Sequence, residues 1–85
     1  MAEQQALLPA ALRWRCRRGM LELDLMLLAF ADKEVQHLTN HELMVFDRLL
    51  DYPDQTLLEL FLGQIHSSDK EIAQFVKRIR QSTNA

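Results

Sequence analysis

Glycine and proline are scarce in this chain, at 2 each in 85 residues, there is a single cysteine, and neither sign of charge dominates, the net charge being −2. With so few turn-formers, and with Leu, Met, Ala, Glu, Gln and Arg prevailing, nearly every window favours helix over strand. The fold class expected is all-α. The lone Cys16 excludes an internal disulfide. Acidic side chains spread along the chain repel phosphate wherever basic ones do not face it, which weighs against general nucleic-acid affinity. No apolar run reaches the roughly 18 residues of a membrane span, because Glu22 and Asp24 interrupt the longest one and Asp32 closes it. The opening MAEQQALLPA has neither a basic start nor a long apolar core, so no signal peptide is read and the expected location is cytoplasmic. No Gly-x-Gly-x-x-Gly and no Walker-type loop is present. A nucleotide or flavin therefore lacks its usual backbone cradle, and any cofactor is expected to belong to a partner.

What is present is 48% hydrophobic residues, enough for one small core. A domain of this size buries only about 60–65% of the surface its unfolded chain exposes. Few residues are left to line a deep pocket, which weighs against a self-contained active site. We expect one compact bundle of about five short helices over residues 1–85, with 1–8 a variable extension and 81–85 a frayed tail.

Pro9 suits the first turn of a helix that runs to about Cys16 or Arg17. Gly19 follows where the chain must turn, and its missing Cβ lets another backbone come close. From Met20 to about Lys33 the sequence is helix-prone and apolar on nearly every side except at Glu22 and Asp24. Such a helix must be covered all round, so it is placed at the centre of the core, with a partly exposed docking face as the competing reading. Thr39 and Glu42 form a capping box that starts a third helix near Asn40, with Leu43, Phe46, Leu49 and Leu50 on its inner face. Pro53 and Asp54 mark the start of a fourth helix that Gly63 stops. Ser68 and Glu71 suggest a second capping box, opening a fifth helix whose stripe is Ile72, Phe75, Val76 and Ile79.

Several residues invite a chemical role. His37 and His41 are four apart, but Thr39 lies between them as a helix start and no third ligand is positioned, so no metal site is expected. Arginines beside Cys16 favour a thiolate, yet no histidine is near it in sequence, and it is read as a small packing residue. Arg13, Arg15, Arg17 and Arg18 are arginines without a lysine among them, which favours forked recognition of carboxylate or phosphate over a merely solvated face. Trp14 serves equally well as a core residue or as an interface anchor. Glu22 falls in the first turn of the second helix, four residues after Arg18, where it can pair with that arginine or cap free N–H groups. Glu22 and Asp24 lie about 200° apart around a helix and cannot share one face.

Cys16-Arg-Arg-Gly-Met-Leu-Glu-Leu-Asp24, with Arg18-Gly19-x-x-Glu22 at its centre, and Phe46-Asp-Arg-Leu-Leu-Asp-Tyr-Pro-Asp54 downstream resemble the SdhE family of succinate dehydrogenase assembly factors. The likeness runs from about Leu12 to Arg80. Family members commonly carry a tryptophan in the fourth helix where this chain has Leu60, a difference that touches packing. The resemblance implies a five-helix protein, not an enzyme, that binds the flavoprotein subunit of succinate dehydrogenase, and also that of fumarate reductase. It promotes covalent attachment of the client's FAD to a client histidine, stably binding no cofactor or metal itself. It further implies Arg18, Gly19 and Glu22 as partner-binding residues, with Arg13, Trp14, Arg15, Arg17 and Asp24 as weaker candidates, and a chain that is monomeric when free, without nucleic-acid binding or membrane insertion. The competing reading is a small interaction module or antitoxin-like regulator that uses its arginines on an acidic partner or RNA.

Overall fold

A computed structural model describes residues 9–83. The expected extension at 1–8 and the last two residues of the expected frayed tail lie outside them. The described residues form five α-helices and one 3-10 turn, with no strand: α1 (Pro9–Arg15), α2 (Leu21–Glu34), the 3-10 turn Val35–His37, α3 (Asn40–Leu50), α4 (Asp54–Phe61) and α5 (Lys70–Thr83). The all-α expectation holds. Among the described residues no helix is long and apolar enough to cross a membrane.

Each boundary has a local cause. The capping box at α3 is complete: the Glu42 backbone N–H donates to the Thr39 hydroxyl at 3.1 Å, and the Glu42 carboxylate accepts from the Thr39 N–H at 2.8 Å. Gly19 and Gly63 take positive φ, +87° and +78°, and reverse the chain after α1 and α4. The second capping box does not form. Asp69, not Ser68, caps α5, its Oδ1 accepting from the N–H groups of Glu71 at 3.0 Å and Ile72 at 3.3 Å. With the helix starting one residue later, Glu71 is too close to the cap to reach back to it, and its carboxylate turns to His41 and Arg48. α5 runs to Thr83, into the segment 81–85 read as the tail.

The core is centred on three rings. Phe30 of α2, Phe46 of α3 and Phe75 of α5 meet with centroids 5.4–5.5 Å apart, Phe30 edge-on to the other two and Phe46 tilted on Phe75, contacts that add to the burial of large apolar area. Leu12, Leu23, Leu27, Leu49, Leu57, Ile72 and Ile79 fill the space around them, and the predicted stripes of α3 and α5 are buried as expected.

α2 departs from expectation. Leu23, Leu27, Phe30 and Ala31 are buried, but Leu21 and Leu25 are 74% and 59% exposed. α1 is half its length, 7 residues against 14, and α3–α5 gather on the opposite side around the three rings. The face that carries Leu21, Glu22, Leu25 and Ala29, all exposed, has no neighbouring helix among the described residues.

Candidate functional site

The segment between α1 and α2 is pinned on two sides. Arg18, in the turn after α1, sends its guanidinium across to the α3–α4 junction. Its Nε donates to Asp54 Oδ1 at 2.7 Å, Nη1 to the Leu50 carbonyl at 2.6 Å and Nη2 to the Tyr52 carbonyl at 2.9 Å. The side chain is only 17% exposed, and the planar fork matches three acceptors at once. From the other side, Asp24 in the first turn of α2 accepts the backbone N–H of Arg18 at 2.8 Å on Oδ1 and that of Gly19 at 3.2 Å on Oδ2. Asp24 thus ties the loop to α2, and no side chain takes the capping role expected of Glu22.

Between these anchors Gly19 is open. A Cβ built on it meets nothing within 4 Å, so no backbone among the described residues makes the close approach that its missing side chain permits. Glu22, within one helical turn, is exposed and makes no hydrogen bond or ion pair among the described residues. It neither pairs with Arg18 nor caps the helix. Trp14, on the outer side of α1, is 74% exposed, which removes its core reading. Glu22 therefore stands beside Leu21 and Leu25, apolar side chains that are exposed on the same helix, with Gly19 just before it.

Most of the arginines point inward on their own chain. Arg13 holds Asp32 at 2.6 Å, and Arg15 bridges Asp47 and Asp51 of α3 and its C-terminal end. The hydrogen bond from Arg13 lowers the Asp32 carboxyl below the usual carboxylate range, and the Arg13 guanidinium is raised by the same contact. Of the four arginines, Arg17 alone is exposed without an ion pair among the described residues. The arginine-grip reading therefore rests on Arg17.

Cys16 is not set up as a nucleophile, and the described residues hold no metal cluster. Cys16 is fully buried, its thiol donating to the Leu12 carbonyl at 3.4 Å, and burial pushes its pKa up to about 12 against the pull of Arg13, Arg18 and Arg15. The arginine neighbourhood that favours a thiolate is outweighed by the missing solvent. His41 bonds Glu71, His37 is exposed on the 3-10 turn, and no group of three or more His, Cys, Asp and Glu is arranged for a metal ion. The surface depression between α3 and α5 is lined by residues that include Glu42, Glu71, Arg78 and His41, which are paired with one another, Arg78 to Glu42 and His41 to Glu71.

The sequence-predicted set divides cleanly in this geometry. Gly19 and Glu22, with Trp14, face outward, whereas Arg18, Asp24, Arg13 and Arg15 are engaged within the chain. Sequence reasoning missed Leu21 and Leu25 as surface residues, although the apolar excess of α2 signalled that some of it lacked cover. It also missed the partnership of Arg18 with Asp54, whose two segments had been noted only side by side.

A family profile described as "Flavinator of succinate dehydrogenase" matches residues 10–83. The chain is similar to proteins named "FAD assembly factor SdhE" from several bacteria. It is 40% identical over 70 residues to that of Coxiella burnetii, covering 82% of this chain and 85% of the relative. It is 41% identical over 71 residues to that of Shewanella oneidensis, covering 84% and 87%. With that of Legionella pneumophila strain Paris it shares 44% over 69 residues, covering 81% and 86%.

Proposed function

The chain belongs to the SdhE family, the flavinators of succinate dehydrogenase, and from that membership we propose that it is an FAD assembly factor acting on the flavoprotein subunit of that enzyme. It binds the subunit and promotes covalent attachment of FAD to a histidine there, and the fumarate reductase flavoprotein is a second client. FAD and the reacting histidine both come from the client. This chain works in the cytoplasm, monomeric until it docks, and contributes no catalytic group of its own.

The observation that supports this reading is Glu22, an uncommitted carboxylate beside an open glycine on an apolar edge, in a chain that satisfies most of its other charges internally. Covalent flavinylation requires a carbon of the flavin to be held against the histidine, and fixing reactants in a near-attack geometry lowers a barrier by several kcal/mol. A docking protein achieves this by stabilising one client conformation, to the extent that it binds that conformation more tightly than the others. Leu21, Leu25 and Trp14 supply apolar area to such an interface, Glu22 supplies a directional polar contact, and Gly19 lets the client backbone approach where a side chain would stand.

The test uses the purified flavoprotein subunit, FAD and this chain, with covalent flavin read after denaturation. The unsubstituted chain raises the covalent fraction. Glu22→Ala does not, with its circular dichroism unchanged. A Glu22→Ala chain that promotes attachment fully contradicts the role given to Glu22.

A further inference from the structure

Arg18 is part of the segment proposed to dock, yet its guanidinium is turned away from the open face and consumed by three acceptors of the α3–α4 junction. Asp54 is the charged member of that junction, and it is the first residue of α4, whose N-terminal cap is Pro53. The backbone at Leu50 and Tyr52 supplies carbonyls already freed from helix bonding by the approach to Pro53. Side chain and carbonyls together form a socket that fits one guanidinium.

We propose that Asp54 is a positioning residue for docking, acting through Arg18 to hold the Gly19–Glu22 segment in the geometry that the client meets. This rests on the docking reading above. Residues 16–20 lie between helices, with a positive-φ glycine among them, and each unrestrained residue of such a loop must lose backbone freedom when a partner binds. The Arg18 strut ties one end of that loop to the body of the bundle, and Asp24 ties its N–H groups to α2. Loop order is therefore established before the client arrives, and affinity is not spent on creating it. The Asp54 charge makes the central bond of the socket a charge-assisted one, stronger than a neutral bond, while the two carbonyls fix the plane of the fork.

Asp54 has a second effect that must be separated from this one, because a carboxylate in a first helical turn also stabilises that helix. A double-mutant cycle separates them. Binding of the purified chain to the purified flavoprotein subunit is measured for Asp54→Ala, Arg18→Ala, the double variant and Asp54→Asn, at a temperature well below every melting transition. Asp54→Ala weakens binding on the order of 10-fold, the worth of ordering about one loop residue. The double variant binds no more weakly than Arg18→Ala alone, and Asp54→Asn, which keeps an acceptor oxygen for Arg18 Nε, regains most of the affinity. In parallel, the steady-state 15N heteronuclear NOE at Gly19 and Met20 falls in free Asp54→Ala while residues of α4 keep theirs.

Unchanged affinity and unchanged NOE in Asp54→Ala overturn the proposal, as does an Asp54→Ala loss that persists undiminished on the Arg18→Ala background. The NOE does not depend on a client. A fall at Gly19 in a chain whose unsubstituted form does not bind the flavoprotein subunit refutes the docking function while leaving the strut in place.

Discussion

Substituting Gly19 separates the cost of folding from the cost of docking. Its φ of +87° lies where a side chain is disfavoured, while a Cβ there meets nothing within 4 Å. The penalty of Gly19→Ala is therefore conformational alone, about 1–2 kcal/mol. For a domain of this size each kcal/mol lowers Tm by about 4–8 °C, and a total stability of about 4–13 kcal/mol leaves the variant folded at room temperature. Gly19→Leu has a similar penalty, since its side chain extends into solvent, but it places bulk where the client must approach. Gly63→Ala is the matched control: its φ is +78°, and the nearest atom its Cβ meets is Arg80 Nη2 at 3.4 Å, ordinary van der Waals contact. Thermal circular dichroism and covalent flavin yield are measured on all three. Comparable falls in Tm are expected, with flavin attachment lost in Gly19→Leu and retained in Gly63→Ala. Full attachment with Gly19→Leu, or loss with Gly63→Ala at the same Tm, refutes the reasoning.

Further outcomes follow from the same geometry. Glu22→Ala leaves Tm unchanged to within the equivalent of about 0.5 kcal/mol, because an exposed side chain without partners contributes little to stability; a larger fall in a thermal melt means that Glu22 holds the fold. Phe46→Ala removes one of the three mutually touching rings and destabilises by about 3–5 kcal/mol, read as a shift of the urea midpoint; a shift under about 1 kcal/mol contradicts the core description. Glu42 is held below the ordinary carboxylate range by the Thr39 N–H and by Arg78, so its contribution is present above the unfolded-state pKa and disappears as pH falls through the lower folded value. Glu42→Gln keeps the capping-box geometry without the charge, and its Tm deficit shrinks as pH falls below the ordinary carboxylate range; a deficit that grows on acidification reverses the sign assigned here. Cys16, with its pKa pushed up to about 12 by burial, reacts with a thiol reagent at pH 8 only at the rate of unfolding, and prompt labelling of the native chain contradicts its burial.

The helices were legible in the sequence wherever a local rule had no competitor. Thr39 and Glu42, the Pro53 boundary and the stripe Ile72–Phe75–Val76–Ile79 each depend on neighbours within a turn or two, and each is seen where it was expected. Ser68 failed as a cap because Asp69, next to it, offers the same bond one residue later, a choice that spacing alone does not decide. The exposed face of α2 was illegible for a different reason. Periodicity tells which residues are apolar, not how many neighbours a seven-residue α1 can supply. The same limit applied at the site. The four arginines were visible, but which of them would be consumed at home depended on Asp32, Asp47, Asp51 and Asp54 being brought across from distant segments. Asp24, not Glu22, is drawn into the chain's own bonding because the loop around Gly19 folds back toward it and offers its N–H groups.

The most direct measurement is in-gel flavin fluorescence of the succinate dehydrogenase flavoprotein subunit, taken from cells lacking this gene and from cells in which it is restored as wild type or as Glu22→Ala. The account predicts fluorescence lost on deletion, regained with the wild-type chain and not regained with Glu22→Ala at equal protein level. Fluorescence unchanged by deletion contradicts it.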